Sequence, residues 1–321
     1  MSIRISAIIC THNRASYLKK AIQSLVDQTL PKEQYEVIVV DNGSTDDTKA
    51  VVESFDHFEN LRYIYEPVLG LSQARNTGWQ NAQGEYVAYL DDDAVSCPEW
   101  LERIVVAFET VDPRPGSVGG KVMPIWEAER PAWLPKELEV ALTIIDWADK
   151  PIFLTEDYQH LRGCNVAYPR EILEKAGGFS TSLGRKGKSL LSGEEEFLER
   201  HLKEQNFGPY YDPEICVYHH IPAERLVKQW FYRRYFWQGA SYEVLQYIEA
   251  SRKETNWRYL GGAIVNVFRL IKHPTILLSI LIPANSGPWV VRKCSSYACL
   301  GQIWAQVRIG FGLVRTRKEN H

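Results

Sequence analysis

The 321-residue sequence predicts an α/β fold, a mostly parallel sheet flanked by helices, followed by a mainly helical C-terminal region. Three observations carry this prediction. Apolar, β-branched runs alternate with stretches of helical spacing through the first 110 residues. That alternation is the pattern of βαβ units with right-handed crossovers. Three of the apolar runs end in polar clusters, at residues 11–14, 41–44 and 91–93. All three clusters then lie on one rim, beyond the carboxyl ends of the strands, where ligands of such sheets bind. The third observation is a break in charge. Residues 225–321 hold 15 Lys and Arg against 4 Glu, a local charge of +11, while the preceding residues carry −14.

The elements follow in order. Residues 3–10 form a buried strand, because the run is mostly apolar and β-branched. Residues 16–28 carry Leu18, Ile22, Leu25 and Val26 on one helical face. Residues 35–40 and 61–65 read as the second and third strands. Between them, residues 45–55 read as a helix with Ser44 or Thr45 as its cap. A helix over 71–82 leads to the fourth strand at 85–90, and residues 98–110 form a further amphipathic helix. The prolines at 113, 115, 124, 131 and 135, with Gly119 and Gly120, predict an irregular insertion over 112–150. Residues 163–168 read as a strand. The helix over 169–176 opens on a proline and closes on Gly177 and Gly178. Another helix spans 194–204, and a strand over 210–218 ends at His219 and His220. The domains expected are residues 1–224, in halves of about 1–110 and 111–224, and residues 225–321.

Composition narrows the function. With 45% hydrophobic and 24% charged residues the chain is a folded globular protein. A net charge of −3 argues against a nucleic-acid binder, so no nucleic-acid partner is expected. The six cysteines form no CxxC pair and the first residues do not read as a signal peptide. Reduced thiols in the cytoplasm are the expectation.

The rim residues have specific chemistry. Asp91, Asp92 and Asp93 close a buried strand, where three carboxylates repel one another unless a cation is present. Oxygen donors of this kind suit Mg²⁺ or Mn²⁺. Asp91 and Asp93 fall on one side of an extended segment, so that one can take the metal and the other meet sugar or ribose hydroxyls. Asp41 can accept from a base or a ribose hydroxyl, although its neighbours Asn42, Gly43 and Ser44 are also ordinary turn residues. Arg75 opens the helix after Gly70 within reach of a diphosphate, with Asn76 beside it. Glu194, Glu195 and Glu196 start a helix, whose dipole keeps carboxylates ionised. The group is open to reading as a base or as simple capping.

Taken in order, Ile-Cys-Thr-His-Asn-Arg14, Val-Val-Asp-Asn-Gly-Ser44, Ala-Arg-Asn-Thr-Gly78, Leu-Asp-Asp-Asp93, Gly-Cys-Asn165, Gly-Gly-Phe179 and Gly-Glu-Glu195 resemble a family 2 glycosyltransferase of the GT-A fold. The resemblance covers about residues 3–220. It implies a GT-A-like, Rossmann-type catalytic domain and inverting, metal-dependent transfer from a nucleoside diphosphate sugar, a UDP-sugar being favoured. It assigns Thr11, Asn13, Arg14, Asp41 and Arg75 to the nucleotide, Asp91 and Asp92 to the donor, and Asp93 to a divalent metal, Mn²⁺ or Mg²⁺. His219, rather than His220, is the third metal ligand or lies near the diphosphate. The family's acidic pair is most often Glu-Asp, with the Asp as base. Here that position is Glu195, with Glu194 and Glu196 as the neighbouring alternatives. The acceptor expected is a saccharide or a lipid-linked sugar, in polysaccharide, glycolipid or glycoprotein assembly. A sugar-phosphate nucleotidyltransferase would want a Gly-rich loop with a lysine after the first strand, where this chain has Thr-His-Asn-Arg14. A catalytically inactive nucleotide-sugar-binding or scaffold protein is the other alternative, which Glu195 in place of Asp keeps open.

The basic region holds 15 of the chain's 38 aromatic residues, and Trp230 to Trp237 interleaves rings with Arg233 and Arg234. Such rings either stack on acceptor sugars or pack a helix. Residues 274–291 carry no charge but are broken by Pro283, Gly287 and Pro288, with a second uncharged stretch over 294–307. Broken apolar helices with basic flanks fit a helix lying in a membrane interface. The expected partner is an anionic membrane surface, and the expected location the cytoplasmic face of the inner or plasma membrane.

Overall fold

A computed structural model describes residues 2–187, 189–250, 256–284 and 286–314. In chain order its elements are β1 (Ile5–Thr11), α1 (Ala15–Val26), β2 (Tyr35–Asp41), α2 (Thr48–Glu53), β3 (Leu61–Tyr65), α3 (Leu71–Gln80), β4 (Tyr86–Asp91), β5 (Ala94–Ser96) and α4 (Trp100–Thr110). Then come β6 (Ser117–Trp126), β7 (Ile152–Phe153), β8 (Val166–Pro169), α5 (Arg170–Ala176), α6 (Glu194–Glu204) and β9 (Pro209–Ile221). The last four are α7 (Lys228–Glu249), α8 (Asn256–Lys272), α9 (Pro274–Leu281) and α10 (Gly287–Gly310).

The strands join in the order β3-β2-β1-β4-β8-β6-β9-β5, with β7 paired to β9. β1 lies between β2 and β4 in parallel, and β3 extends the parallel half. β8 pairs antiparallel with β4 and with β6, and β9 antiparallel with β5 and β7. The register Cys10↔Asp91 and Thr11↔Asp41 brings the ends of β1, β2 and β4 level. Three polar clusters therefore meet, as the sequence predicts. Ile5, Ala7, Ile8 and Ile9 are fully buried, which explains the mostly apolar run, and the buried Ser6 within it donates to Glu36 at 2.7 Å. Leu18, Ile22 and Leu25 of α1 and Trp100, Ile104 and Phe108 of α4 are buried as well. Each such side chain contributes about 1.5–3 kcal/mol relative to exposure.

The predicted irregular stretch over 112–150 contains β6. Gly119 and Gly120 are not breakers there. A Cβ on Gly119 would strike the Asn165 carbonyl, and one on Gly120 the carbonyls of Asp212 and Ile215. They are strand residues kept small for close backbone approach. The helix predicted over 45–55 is shorter, and Asp46 bonds the Thr48 amide in place of Ser44 or Thr45.

The chain forms two compact units. One comprises Met1–Ile125, Thr143–Phe179 and Glu194–His220; the other comprises Trp126–Leu142, Ser180–Gly193 and Ile221–His321. The division is therefore discontinuous, where the charge break placed a single cut after residue 224. In the second unit α10 lies along α7. Tyr232 stacks on Tyr297 at 5.2 Å, and Trp237 meets Trp304 at 5.6 Å. The aromatic run of α7 is thus spent on helix packing.

Asn165 is the polar knot of the first unit. Fully buried, it accepts from Trp100 Nε1 at 2.8 Å and donates to the carbonyls of Ile215 at 2.8 Å and Lys121 at 3.1 Å. Asn165→Ala strands all three partners, and urea unfolding should show a loss of about 2–4 kcal/mol with the m-value unchanged.

Candidate functional site

The site is built on the level strand ends of the first unit. After β1, Asn13 takes a left-handed conformation (φ 55°). Its amide donates to Ser44 Oγ at 2.9 Å and its Oδ1 accepts from the Thr45 amide at 2.7 Å, so the turns after β1 and β2 are stitched together. Asp41 is buried and accepts from the Tyr63 hydroxyl at 2.7 Å and the Ser44 amide at 2.8 Å. Asn42 donates to the Glu66 and Val68 carbonyls and accepts from the Gly70 amide, holding the loop that launches α3.

The three aspartates after β4 point differently. Asp92 is buried and accepts from Thr11 Oγ1 at 2.8 Å and Arg14 Nη1 at 3.0 Å. The same Arg14 nitrogen reaches Asp93 at 2.8 Å. Burial pushes the Asp92 carboxyl up, to about 7; Arg14 opposes this, and the charges of Asp93 and Asp91 add to it. Thr11, Arg14 and Asp92, assigned to nucleotide and donor, are in this structure engaged with one another. Asp93 presents its other oxygen to His219 Nε2 at 3.2 Å. The β5–β9 ladder fixes this pair, with Ala94 opposite His219 and the His220 amide donating to the Asp93 carbonyl at 2.8 Å.

Asp91, Asp93 and His219 each offer a ligand atom within 4.8 Å of the others. His219 Nδ1 is buried without a hydrogen-bond partner among the described residues. Two carboxylates and an imidazole fit a divalent cation of the Mn²⁺ or Mg²⁺ type. The grouping brings Asp91, expected at the donor, beside Asp93 and His219. His220 instead meets the Tyr17 ring edge-on at 5.3 Å.

Arg75 was expected at the diphosphate. It is buried, and its Nη1 lies 2.8 Å from both Glu194 Oε1 and Glu195 Oε1, with Nη2 3.9 Å from Asp91. Its guanidinium lies over the rings of Phe179 and Tyr89 at 5.5 and 5.8 Å. Burial works against its charge, but Glu195, Glu194 and Asp91 outweigh burial and hold it protonated. Burial likewise disfavours the Glu195 carboxylate, yet Arg75 and then Arg162 keep its pKa below the ordinary glutamate value. Glu195 is therefore an ionised, partly accessible carboxylate, whereas Glu194 is fully enclosed. Glu196 faces Arg200 one turn on.

Sequence reasoning missed Arg162 and did not foresee what Gly163 and Asn76 do. Gly163 lets Arg75 and Glu195 meet, since a Cβ there would overlap both. Asn76 lies away from the pair; it donates to the Phe179 carbonyl and accepts from the Phe179 amide, both at 2.8 Å, so it shapes the Gly-Gly-Phe179 turn. Arg162 is half-buried beside Glu195 and Glu199, its Nε unpartnered among the described residues, and burial lowers its pKa. Its one signal in the sequence is its place just before Gly-Cys-Asn165.

The glycosyl transferase family 2 model matches residues 6–177, more than half of the chain. The chain belongs to this family. Over 80% of its length this glycosyltransferase-family chain is 26% identical to a glucosyl-dolichyl phosphate glucuronosyltransferase of Haloferax volcanii, spanning 82% of that protein. It is 41% identical over 101 residues to the glycosyltransferase AglE of the same organism, a match to 33% of that protein. Among solved structures it resembles the mannosyltransferase PcManGT of Pyrobaculum calidifontis in complex with GDP-Man and Mn²⁺, at a TM-score of 0.61 and 19% identity, covering 96% of this chain and 88% of that one. It also resembles Staphylococcus aureus TarS residues 1–349 in complex with UDP-GlcNAc, at a TM-score of 0.53 and 20% identity, over 74% and 66% of the two chains. These likenesses establish the GT-A fold.

Replacing Arg75 by Met would remove the ion-pair partner that Glu194 and Glu195 share. Burial would then prevail at Glu195 and raise its folded pKa instead of lowering it, so the variant loses stability as pH climbs and regains it below 4.5, the ordinary glutamate value. Urea unfolding should show Arg75→Met less stable by about 3–5 kcal/mol at neutral pH, the gap closing in acid.

Proposed function

We propose that the chain is an inverting, metal-dependent glycosyltransferase. It moves a sugar from a nucleoside diphosphate sugar, a UDP-sugar being favoured, to an acceptor hydroxyl in polysaccharide, glycolipid or glycoprotein assembly. The observation that carries this reading is Glu195. It is held ionised by Arg75, which also lies 3.9 Å from Asp91 of the Asp91–Asp93–His219 cluster. Family membership and the ligands bound in the structural neighbours, GDP-Man with Mn²⁺ and UDP-GlcNAc, support it.

In this mechanism Glu195 takes the proton of the acceptor hydroxyl as its oxygen attacks the anomeric carbon, for about 10²–10⁴-fold in rate. The bond from that carbon to the diphosphate breaks on the opposite side, and the nucleoside diphosphate leaves with the electron pair. Asp91, Asp93 and His219 would hold a divalent cation, which when bound would supply Lewis-acid stabilisation of the diphosphate charge. Asp41 and the linked turns at Asn13 and Ser44 receive the nucleoside. Arg14 holds Asp92 and Asp93 in place, and Arg75 restrains Glu195 in its ionised form. A single base suffices, unlike the carboxylate pair of glycoside hydrolysis. The name of the dolichyl phosphate relative supports a lipid-linked acceptor.

The test is nucleoside diphosphate release from UDP-, GDP- and dTDP-sugars with Mn²⁺, Mg²⁺ or EDTA. Wild type should prefer one donor and stop in EDTA. Asp93→Ala should lose metal-dependent turnover, and Glu195→Gln should drop kcat about 10²–10⁴-fold with donor affinity kept. Donor binding without turnover in wild type, with lipid extract as acceptor, would make the chain a binding protein instead. A separate kinetic check is Gly163→Ala, which pushes Arg75 and Glu195 apart and should lower kcat at least about 10²-fold.

A further inference from the structure

α8 has two apolar faces. Tyr259, Ala263 and Leu270 form one stripe and are buried, and Asn266 on the same side donates to Gln306 of α10 at 3.2 Å. The opposite face should be polar in a helix that meets water. It carries Trp257, Ile264, Phe268 and Ile271, which are 78, 57, 58 and 59% exposed. These positions follow helical spacing through Gly261, so they line one ridge. Val265 and Val267, also exposed, widen it. Leu278 and Leu281 of α9 continue the apolar exposure after the Pro274 break. Scattered exposed apolar residues are ordinary, but a continuous ridge of them marks a contact surface.

Charge says what the ridge meets. Arg258, Arg269 and Lys272 are all exposed and fall along the same edge of it. Residues 256–314 contain six Lys and Arg and no Asp or Glu. A second copy seated on this ridge would bring basic edge against basic edge. A layer of anionic headgroups over hydrocarbon satisfies both features at once, with rings and aliphatic chains at the acyl boundary and the cations among phosphates. No helix among the described residues is long and apolar enough to cross a membrane, so the contact is in-plane.

We infer that α8, with the start of α9, is an in-plane membrane-binding helix that seats its exposed ridge in a bilayer and its Arg258–Arg269–Lys272 edge against anionic headgroups. This relocates the contact that the uncharged stretches at 274–291 and 294–307 predict. The second stretch lies within α10, whose Cys294, Ser296, Gly301 and Ala305 are buried and whose rings pack on α7. The proposal does not depend on the transfer chemistry, because vesicle binding is read without donor or acceptor.

The test is flotation of the full chain with phosphatidylcholine vesicles, with and without roughly one third phosphatidylglycerol. Wild type should float with the anionic vesicles and release at high salt. Ile264→Glu with Phe268→Glu, and separately Arg269→Glu with Lys272→Glu, should each weaken binding at least about tenfold, with circular dichroism melts unchanged. Should either pair fail to fold, quenching of tryptophan fluorescence by brominated lipid provides the check: it should occur in wild type and fall in Trp257→Phe. Wild type that stays behind with anionic vesicles, or apolar variants that float as well as wild type, would overturn the proposal. So would sedimentation of wild type as a dimer that Ile264→Glu with Phe268→Glu makes monomeric, for then the ridge belongs to a second copy.

Discussion

A guanidinium taken out of water must be surrounded by carboxylates, and Arg75 imposes that demand on the whole rim. It sits on α3, buried against the rings of Tyr89 and Phe179. The first turn of α6 answers with Glu194 and Glu195, and the end of β4 with Asp91. Three segments far apart in sequence are thus tied through one side chain. Such a cluster is costly to desolvate and costlier to break, because removing one partner strands the others. Gly163 belongs to the same constraint, since it is the missing Cβ that lets the pair close.

The second charge balance lies beside the first. Arg14 offsets Asp92 and Asp93 from α1's approach, and His219 faces Asp93 across the β5–β9 ladder. With Asp92 satisfied by Thr11 and Arg14, the donors that come together for a cation are Asp91, Asp93 and His219. In the proposed reaction the division of labour follows from these environments. The aspartate and imidazole donors suit a cation, while the glutamate beside Arg75 is kept ionised and partly open, as an acceptor of a proton must be.

Much of this was legible in the sequence. Central parallel strands write themselves as mostly apolar runs, so the first four strands and the level of three polar ends could be read directly. What hid from reading was whatever depends on partners distant in sequence. Gly119 and Gly120 look like breaks until the carbonyls pressed against them are known. Arg75 looks like a free phosphate binder until α6 is folded against it. Asn165 stands in a motif, but its three partners come from α4, β6 and β9. The outward ridge of α8 escaped because helical spacing shows an apolar face without saying which side the neighbouring helix takes.

The central claim is that one ionised base, Glu195, drives a single displacement at the anomeric carbon. Proton NMR of the first product formed from an α-linked nucleotide sugar tests it directly. A β-linked sugar in that product is the result expected here; an α-linked product would contradict the single displacement and the role given to Glu195.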